Sequence, residues 1–299
     1  MSDQGLPFVK GHGTENDIVL LPDLDAALDL PAAVVRAICD RRAGIGADGL
    51  IRVVPTAAVP EVAHLASGAP WFMDYRNGDG SVVEMCGNGV RVLARYLVTA
   101  GLVAPGTFEV ATRDGVKRLT VTAPDDDVAV DMGPPRLLGM EEVHVVVADR
   151  RYLGMAISMG NPHLVVPVAD LAEAGDLAAV PPVDPPEAFP DGVNVEFVLG
   201  RGPGRIAMRV HERGVGETRS CGTGACAAAV AAGRWWEPGR PVRCAVDLPG
   251  GRLTVVEEAD GHLSLSGNAV LVAEGRLRPS WLAAMTDAAG EPVEAGRAG

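Results

Sequence analysis

The sequence predicts a mixed α/β fold of the α+β type, built from two related halves. Strand-like segments outnumber helical ones, and a Cys-Gly-x-Gly motif occurs twice with similar flanks. At 299 residues the chain is long enough for two domains, and its 47% of hydrophobic residues suffices for a full core.

Strand and helix patterns alternate along the chain. A helix is expected over 31–42, with Pro31 in its first turn and Gly44 just past its end. Two hairpins are expected, one around the glycine-rich turn 200–204 and one around Asp260-Gly261. The segment 181–190 is rich in proline and reads as a surface loop. The predicted strands are 8–10, 18–21, 50–54, 193–199, 205–211, 253–257 and 263–265.

An internal duplication is the most informative feature. Residues 73–89 read MDYRNGDGSVVEMCGNG and residues 208–224 read MRVHERGVGETRSCGTG, at an ungapped offset of 221 − 86 = 135 residues. Cys86 aligns with Cys221, and the polar residues Asn77 and Glu212 align upstream of them. Because this period is far too long for a solenoid repeat, two related half-molecules are the better interpretation.

Each repeated cysteine follows a polar stretch and precedes a helix-forming run, so its sulfur is expected at a helix N-terminus. There the free N–H groups and the helix dipole are predicted to lower the thiol pKa toward neutrality. The same N–H groups form a site for a carboxylate. The other three cysteines, Cys39, Cys226 and Cys244, are interpreted as structural from their apolar helix or strand positions.

Two equivalent thiols narrow the possible chemistry. The closely spaced Cys or His pairs of a metal site are missing, as is the Cys-x-x-Cys of a redox couple. A cysteine hydrolase needs one nucleophile and a base rather than two matched thiols. One thiol that removes a proton and a second that delivers one to the opposite face of a carbon would invert that centre.

Several other functions are disfavoured by composition and motif order. The net charge of −13 argues against nucleic-acid and anionic-membrane partners. The motif GIGADG at 44–49 follows a helix and precedes a strand, which is the reverse of a dinucleotide site. A pyridoxal racemase would need Lys10 or Lys117, the only lysines, as its anchor. We expect no cofactor, no metal and a cytoplasmic location, because no signal peptide or spanning segment is evident.

Seven segments together resemble the diaminopimelate epimerase family. They occur in that family's order and cover the chain from residue 8 to about 275. The segments are HGTEND at 12–17, RRAGIGADG at 41–49, NGDGS at 77–81, MCGNG at 85–89, GNPH at 160–163, GVN at 192–194 and ERGVGETRSCGTG at 212–224.

The resemblance implies an activity and an architecture. The substrate would be LL-2,6-diaminoheptanedioate, converted to its meso form for lysine and peptidoglycan precursor synthesis. Each half would be a curved, mostly antiparallel sheet around a central helix. The first half, 1–129 with a returning segment at about 270–285, carries Cys86, the second, 130–269, carries Cys221, and 286–299 is expected to be a frayed tail. A homodimer is a further expectation.

The resemblance also assigns site residues. Cys86 and Cys221 would be the base and acid, assisted by His163 and Glu212. The positions that match those gripping the reacting carboxylate are Gly87, Asn88, Gly222 and Thr223, and the other ligand-binding positions are Asn16, Asn77, Asn161, Asn194, Glu212 and Arg213.

Two departures and several alternatives remain. Glu15 stands where many relatives carry glycine, and Gly49 stands where some place a polar ligand contact. A proline or hydroxyproline racemase shares the thiol pair. That family typically has histidine where this chain has Asn88, however, and proline has no distal carboxylate for Arg213 to bind. A phenazine-biosynthesis isomerase-like protein would lack the cysteine pair, and a non-enzymatic binding module would leave both thiols idle.

Overall fold

The computed structural model describes residues 5–123, 125–140 and 142–290, and it has the mixed α/β fold expected from the sequence. Within these ranges strands predominate and only four α-helices occur. None of the described helices is both long enough and apolar enough to cross a bilayer.

The first part of the chain carries eight strands and two helices. Their bounds are β1 Leu6–Gly13, β2 Asn16–Pro22, α1 Ala32–Cys39, β3 Gly49–Pro55, β4 Trp71–Asn77, α2 Gly87–Thr99, β5 Gly106–Thr112, β6 Gly115–Val121, β7 Val128–Asp131 and β8 Arg136–Leu137.

The second part carries the remaining twelve strands and two helices. Their bounds are β9 His144–Val147, β10 Arg150–Leu153, β11 Met155–Ser158, β12 Pro162–Pro167, β13 Val183–Asp184, β14 Asn194–Gly200, β15 Arg205–Glu212, β16 Gly216–Thr218, α3 Gly222–Trp236, β17 Arg243–Leu248, β18 Gly251–Glu257, β19 Leu263–Gly267, β20 Val270–Leu277 and α4 Pro279–Gly290.

Strand pairing confirms the duplication. In the first half β2 runs parallel to β3, with Ile18 opposite Gly49, and β3 runs antiparallel to β4. In the second half β12 runs parallel to β14, with His163 opposite Asn194, and β14 runs antiparallel to β15. Each half then passes through its cysteine and its helix, α2 or α3, to a strand that runs parallel to an earlier one: β5 is parallel to β4, and β17 is parallel to β15.

The chain crosses between the halves twice. β20, which follows the second half in the sequence, returns to pair antiparallel with β1 of the first half, and β8, which follows β7, pairs with β11 of the second half. β7 and β19 pair with each other and join the sheets. The predicted division at residues 129 and 269 stays a prediction, and the return of β20 to β1 supports it.

Helices α2 and α3 are the buried centres of the two halves. Along α2, Leu93 and Leu97 are fully buried against strands of the first half. The buried stretch 225–232 of α3 is almost entirely alanine, so backbone and sheet can approach closely. Because both helices are packed along their length, their N-terminal turns are held at fixed positions.

The predicted helix over 31–42 is too long at both ends, since α1 begins at Ala32 and ends at Cys39. Asp40 adopts an extended conformation, and its carboxylate accepts hydrogen bonds from the N–H groups of Arg42 and Ala43, both at 2.7 Å. A short acidic side chain that bonds the following backbone competes with helix continuation. The chain then folds back so closely that a Cβ on Gly44 would lie 2.0 Å from the Ala37 carbonyl oxygen.

Two other expectations need adjustment. The proline-rich segment 181–190 is not a simple loop, because Val183–Asp184 forms β13 against β9, and a 3-10 turn follows at Pro186–Ala188. The segment covers apolar side chains of β9, and Val145 of that strand is fully buried as a result. The last described residues form α4 to Gly290, and the rest of the predicted tail, 291–299, lies outside the described residues.

Candidate active site at two helix N-termini

Both repeated cysteines cap a helix, as predicted. Cys86 precedes α2 with φ −136° and ψ 117°, and its sulfur accepts a hydrogen bond from the Gly89 N–H at 3.4 Å. Cys221 precedes α3 with φ −128° and ψ 117°, and its sulfur accepts from the Gly224 N–H at 3.3 Å. The two turns are therefore copies of one local structure.

The two helix N-termini meet. A Cβ built on Gly87 would lie 3.7 Å from the Gly222 Cα, and a Cβ on Gly222 would lie 3.7 Å from the Gly87 Cα. The residues that follow Cys86 and Cys221 are thus in van der Waals contact across the boundary between halves. Two positive helix ends that face each other form a strong site for an anion.

Glu212 lies close enough to influence both thiols. It ends β15, and the Thr218 hydroxyl donates a short hydrogen bond to its Oε1. Its carboxylate raises the pKa of Cys86 and of Cys221, and it is a hydrogen-bond neighbour of the Cys221 thiol. Burial raises the pKa of Glu212 itself. A carboxyl group in this position can exchange a proton with a thiol.

The predicted lowering of the thiol pKa values is wrong for this structure. Burial raises the pKa of Cys86, although the Gly89 N–H acts in the opposite direction. Burial, Glu212 and Glu196 raise the pKa of Cys221 well above its usual value. Loss of hydration and nearby carboxylates therefore outweigh the helix N-termini. Cys86 is partly buried and Cys221 is buried.

His163 lies on β12 beneath this site and is fully buried. Its Nδ1 is 2.6 Å from Oε1 of Glu196, which is also fully buried, and its Nε2 is 3.0 Å from Oδ1 of Asn161. Glu196 was not expected as a site residue. A charged side chain in the otherwise apolar run of β14 is the sequence feature that indicates it.

The first half contributes two asparagine side chains, of which one contacts Cys86. Asn16 Oδ1 accepts from the Cys86 sulfur at 3.6 Å, and its Nδ2 donates to Asp48 at 2.9 Å. Asn77 ends β4, and its Nδ2 donates to the Ser81 hydroxyl at 3.1 Å. Asn16 is therefore brought into direct contact with a thiol, while Asn77 belongs to a neighbouring turn.

In the second half, Asn194 and Arg213 are neighbours. Asn194 is buried, its Nδ2 donates to the Pro162 carbonyl, and its Oδ1 accepts from the Arg213 N–H, both at 2.9 Å. The exposed guanidinium of Arg213 donates to the Asp191 carbonyl at 3.2 Å and forms no ion pair within the described ranges. Asn194 thus positions the backbone of Arg213, whose charge is available to a ligand.

The Asn88 side chain is engaged by other residues of the protein. Its Nδ2 donates to the Ser220 carbonyl at 3.0 Å, and its Oδ1 accepts from Arg91 at 3.0 Å. Arg91 also donates to Thr14 Oγ1 at 3.0 Å, and the Thr14 and Ser220 hydroxyls are 2.6 Å apart. These four buried residues join the two cysteine loops, so only the backbone of Asn88 faces the helix N-termini. Thr223 keeps a hydroxyl near the site, 3.5 Å from the Cys221 sulfur.

Glu15 and Gly49, the two residues that depart from the family pattern, are each accommodated by a neighbouring side chain. Glu15 pairs with Arg219 of the other half at 2.5 Å, so its charge is balanced at an exposed position. Gly49 gives room to Tyr75, because a Cβ there would lie 2.7 Å from the Tyr75 hydroxyl. Burial and the neighbouring Cys86 raise the pKa of Tyr75. Tyr75, which the sequence interpretation missed, therefore fills the space beside Cys86 that a side chain at residue 49 would take.

No group of three or more His, Cys, Asp or Glu residues within the described ranges is arranged to hold a metal ion.

Comparison with known proteins gives a consistent family. The diaminopimelate epimerase family matches residues 8–138 and 155–272. A diaminopimelate epimerase of Streptomyces coelicolor is 57% identical over 282 residues, which cover 93% of this chain and 97% of that protein. The enzyme of the same name from Thermobifida fusca is 54% identical and covers 92% of this chain and 99% of its own.

Solved structures share the fold at low identity. A phenazine biosynthesis protein of the PhzF family from Bacillus anthracis has a TM-score of 0.68 at 15% identity, covering 92% of this chain and 99% of that one. A hydroxyproline epimerase from Agrobacterium vitis has a TM-score of 0.63 at 15% identity, covering 91% and 92%. These similarities establish the architecture, and the family follows from the sequence matches. The chain belongs to the diaminopimelate epimerase family.

Proposed function

We propose that this chain is an isomerase that interconverts LL- and meso-2,6-diaminoheptanedioate by proton transfer at one α-carbon, without a cofactor. The contact between the Cys86 and Cys221 helix N-termini carries this proposal, together with the position of Glu212 near both thiols. Membership of the family supports the same substrate, and with it a place in lysine biosynthesis.

The proposed step is a two-thiol inversion. The thiolate of one cysteine takes the α-proton and becomes a thiol, while the other thiol gives its proton to the opposite face and becomes a thiolate. The α-carboxylate would lie at the paired N-termini, where the N–H groups of 87–89 and 222–224 stabilise the charge that develops on the carbanion-like transition state. Here Gly87, Asn88, Gly222 and Thr223 act through their backbone.

The two thiols have different surroundings, which suggests different resting states. The buried guanidinium of Arg91 favours ionisation of Cys86, whereas Glu212 and Glu196 both oppose ionisation of Cys221. We expect Cys86 to ionise first and Cys221 to be the proton donor at the start of a turnover. Glu212 would then accept or donate the proton that returns a thiol to its starting protonation state. The neighbouring His163 would influence the pKa of Glu212.

Recognition of the far end of the substrate is assigned to exposed and partly exposed polar groups. Arg213 can bind the distal carboxylate with two parallel hydrogen bonds. Asn16, Asn77 and Asn161 can each offer a donor or an acceptor to an ammonium or carboxylate without adding net charge. Asn194 would contribute mainly by holding Arg213.

Three further assignments go beyond the contacts described above. A homodimer, a cytoplasmic location and a link to peptidoglycan precursor synthesis stay predictions.

A substrate screen tests the proposed function. Purified protein is incubated separately with LL- and meso-diaminopimelate, L-proline and trans-4-hydroxy-L-proline, and the stereoisomers are separated by chiral chromatography. We expect conversion of both diaminopimelate isomers and of neither proline. Cys86→Ala and Cys221→Ala are expected to reduce the rate by several orders of magnitude. Turnover of proline instead would favour the racemase alternative, and full activity of either variant would remove that cysteine from the mechanism.

A further inference from the structure

Glu196 and His163 form a buried pair directly behind Cys221. Both side chains are fully buried, and the carboxylate Oε1 lies 2.6 Å from the ring Nδ1. The second oxygen, Oε2, is buried without a hydrogen-bond partner in the part of the chain that is described. Burying such groups is costly, and an apolar pair of similar size is often as stable or more so.

Because the two halves are duplicates, the residues behind Cys86 show what the fold places at the equivalent position. Strand register equates His163 with Ile18, because these residues face Asn194 and Gly49 in the matching parallel pairs. It equates Glu196 with Ile51, since Val165 faces Glu196 and Leu20 faces Ile51. The same place behind Cys86 is thus filled by two fully buried isoleucines. The fold therefore does not require a polar pair at this position.

Contacts with the helix turns repeat the same correspondence. A Cβ on Gly89 of α2 would lie 3.2 Å from Ile51 Cδ1, and a Cβ on Gly224 of α3 would lie 2.7 Å from Glu196 Oε1. Glu196 thus lies against the first turn of α3, where the helix N-terminus stabilises a negative charge. The glycine at residue 224 leaves room for the carboxylate.

The hydrogen-bond pattern links Glu196 to Asn161 through the His163 ring. Nδ1 faces a carboxylate oxygen at 2.6 Å, and Nε2 faces the amide oxygen of Asn161 at 3.0 Å. A carboxylate oxygen accepts hydrogen bonds, so the ring donates from Nδ1. Asn161 is partly buried, and its side-chain amide is held in place by His163.

We propose that Glu196 is a positioning residue for catalysis: it holds His163 through Nδ1, and His163 in turn orients the Asn161 side-chain amide toward an acidic group of the substrate. This inference deepens the proposed function and rests on it for the identity of the substrate. The other ionisable groups that face the pair are Glu212 on β15 and the Cys221 thiol at the start of α3.

Two variants test the proposal. Glu196→Gln removes the charge and keeps the shape, while the double variant H163I/E196I copies the apolar pair of the first half. Glu109→Gln is the matched control, because Glu109 also lies on a strand and pairs with an arginine, Arg118, but is remote from both cysteines. All variants are compared with wild type for melting temperature, kcat, KM and their pH dependence.

The expected result separates positioning from stability. Loss of a charged hydrogen-bond partner should raise KM for LL-diaminopimelate about 10- to 100-fold in Glu196→Gln, with a smaller change in kcat. The double variant should stay folded and show at least the same rise in KM, and Glu109→Gln should match wild type. A lowered melting temperature with unchanged kcat, KM and pH profile in Glu196→Gln would overturn the proposal.

A measurement without substrate keeps this inference separate from the proposed function. ¹⁵N NMR of histidine-labelled protein at pH 7 should show one buried ring with a proton on Nδ1, and that ring should change in Glu196→Gln and vanish in H163I/E196I. A wild-type His163 with an unprotonated Nδ1 would contradict the inference even in an active enzyme. Inactivity toward diaminopimelate with the Nδ1-protonated ring present would overturn the proposed function instead.

Discussion

Replacement of Arg213 by methionine should weaken substrate binding with little effect on the chemical step. The Arg213 guanidinium is exposed, and among the described residues it donates only to the Asp191 carbonyl at 3.2 Å, so its removal costs the free enzyme little. Methionine keeps the aliphatic contact with Gly192, since a Cβ built on Gly192 would lie only 3.1 Å from the Arg213 Cδ. The change therefore isolates the charge and its two parallel donors.

The magnitude follows from the hydrogen bonds that are lost. Each charge-assisted bond contributes about 1.5–3 kcal/mol, so two of them contribute about 3 kcal/mol or more. At about 1.4 kcal/mol per tenfold change, KM for LL-diaminopimelate should rise roughly 150-fold or more. Because the distal carboxylate does not react, the interaction is equal in ground and transition states, and kcat should change little.

Initial rates measured by chiral chromatography over a wide substrate range separate the two parameters. Arg213→Lys should give an intermediate KM, because lysine keeps the charge but not the planar pair of donors. Arg42→Met, at an exposed arginine outside the site, is the control. An Arg213→Met enzyme with a KM within threefold of wild type, or a loss confined to kcat, would refute the assigned role.

Three further predictions concern the thiols and Tyr75. Because burial raises the pKa of both Cys86 and Cys221, iodoacetamide should alkylate the unliganded enzyme slowly at pH 7 and faster as pH rises, with Cys86 ahead of Cys221; fast labelling of both at pH 7 would contradict this. Tyr75→Phe removes only a hydroxyl beside Cys86, so we expect kcat to fall about 3- to 10-fold with an unchanged fold, and an unchanged kcat would exclude a role for that hydroxyl. Mild oxidation should join Cys86 to Cys221 in a disulfide that reductant reverses, detected by peptide mass, and irreversible inactivation without that peptide would count against facing thiols.

Local sequence was sufficient to predict the cysteine turns. A cysteine followed by Gly-x-Gly and an apolar run determines a helix cap within five residues, and the repeat at a constant offset showed that it occurs twice. Hairpins such as β14–β15 were predictable for the same reason, since the turn and both strands are neighbours in the chain.

Properties that depend on distant residues were not predictable. The rise in the Cys221 pKa comes from burial and from carboxylates on two other strands, Glu212 on β15 and Glu196 on β14. The motif could not reveal that Asn88 would be engaged by Arg91 and by Ser220 of the other half. Long-range packing decided each of these cases.

Two site residues that the sequence interpretation missed, Glu196 and Tyr75, are indicated by features of the sequence. Glu196 interrupts an apolar strand, and its pairing with His163 becomes evident once β12 and β14 are known to be parallel. Gly49 departs from the polar residue of some relatives, and the compensating Tyr75 lies opposite Ile51 on the neighbouring strand β4. Chemically unusual residues at strand positions therefore indicate functional sites even before their partners are known.

Conversion of LL-diaminopimelate in D₂O tests most directly whether two separate thiols handle the proton on opposite faces of one carbon. At low conversion, we expect the meso product to carry one deuterium at the inverted carbon, because the donating thiol has exchanged with solvent. The remaining LL substrate should be unlabelled. A meso product that keeps its original hydrogen would show that a single group removes and returns the same proton, and would contradict the paired roles of Cys86 and Cys221.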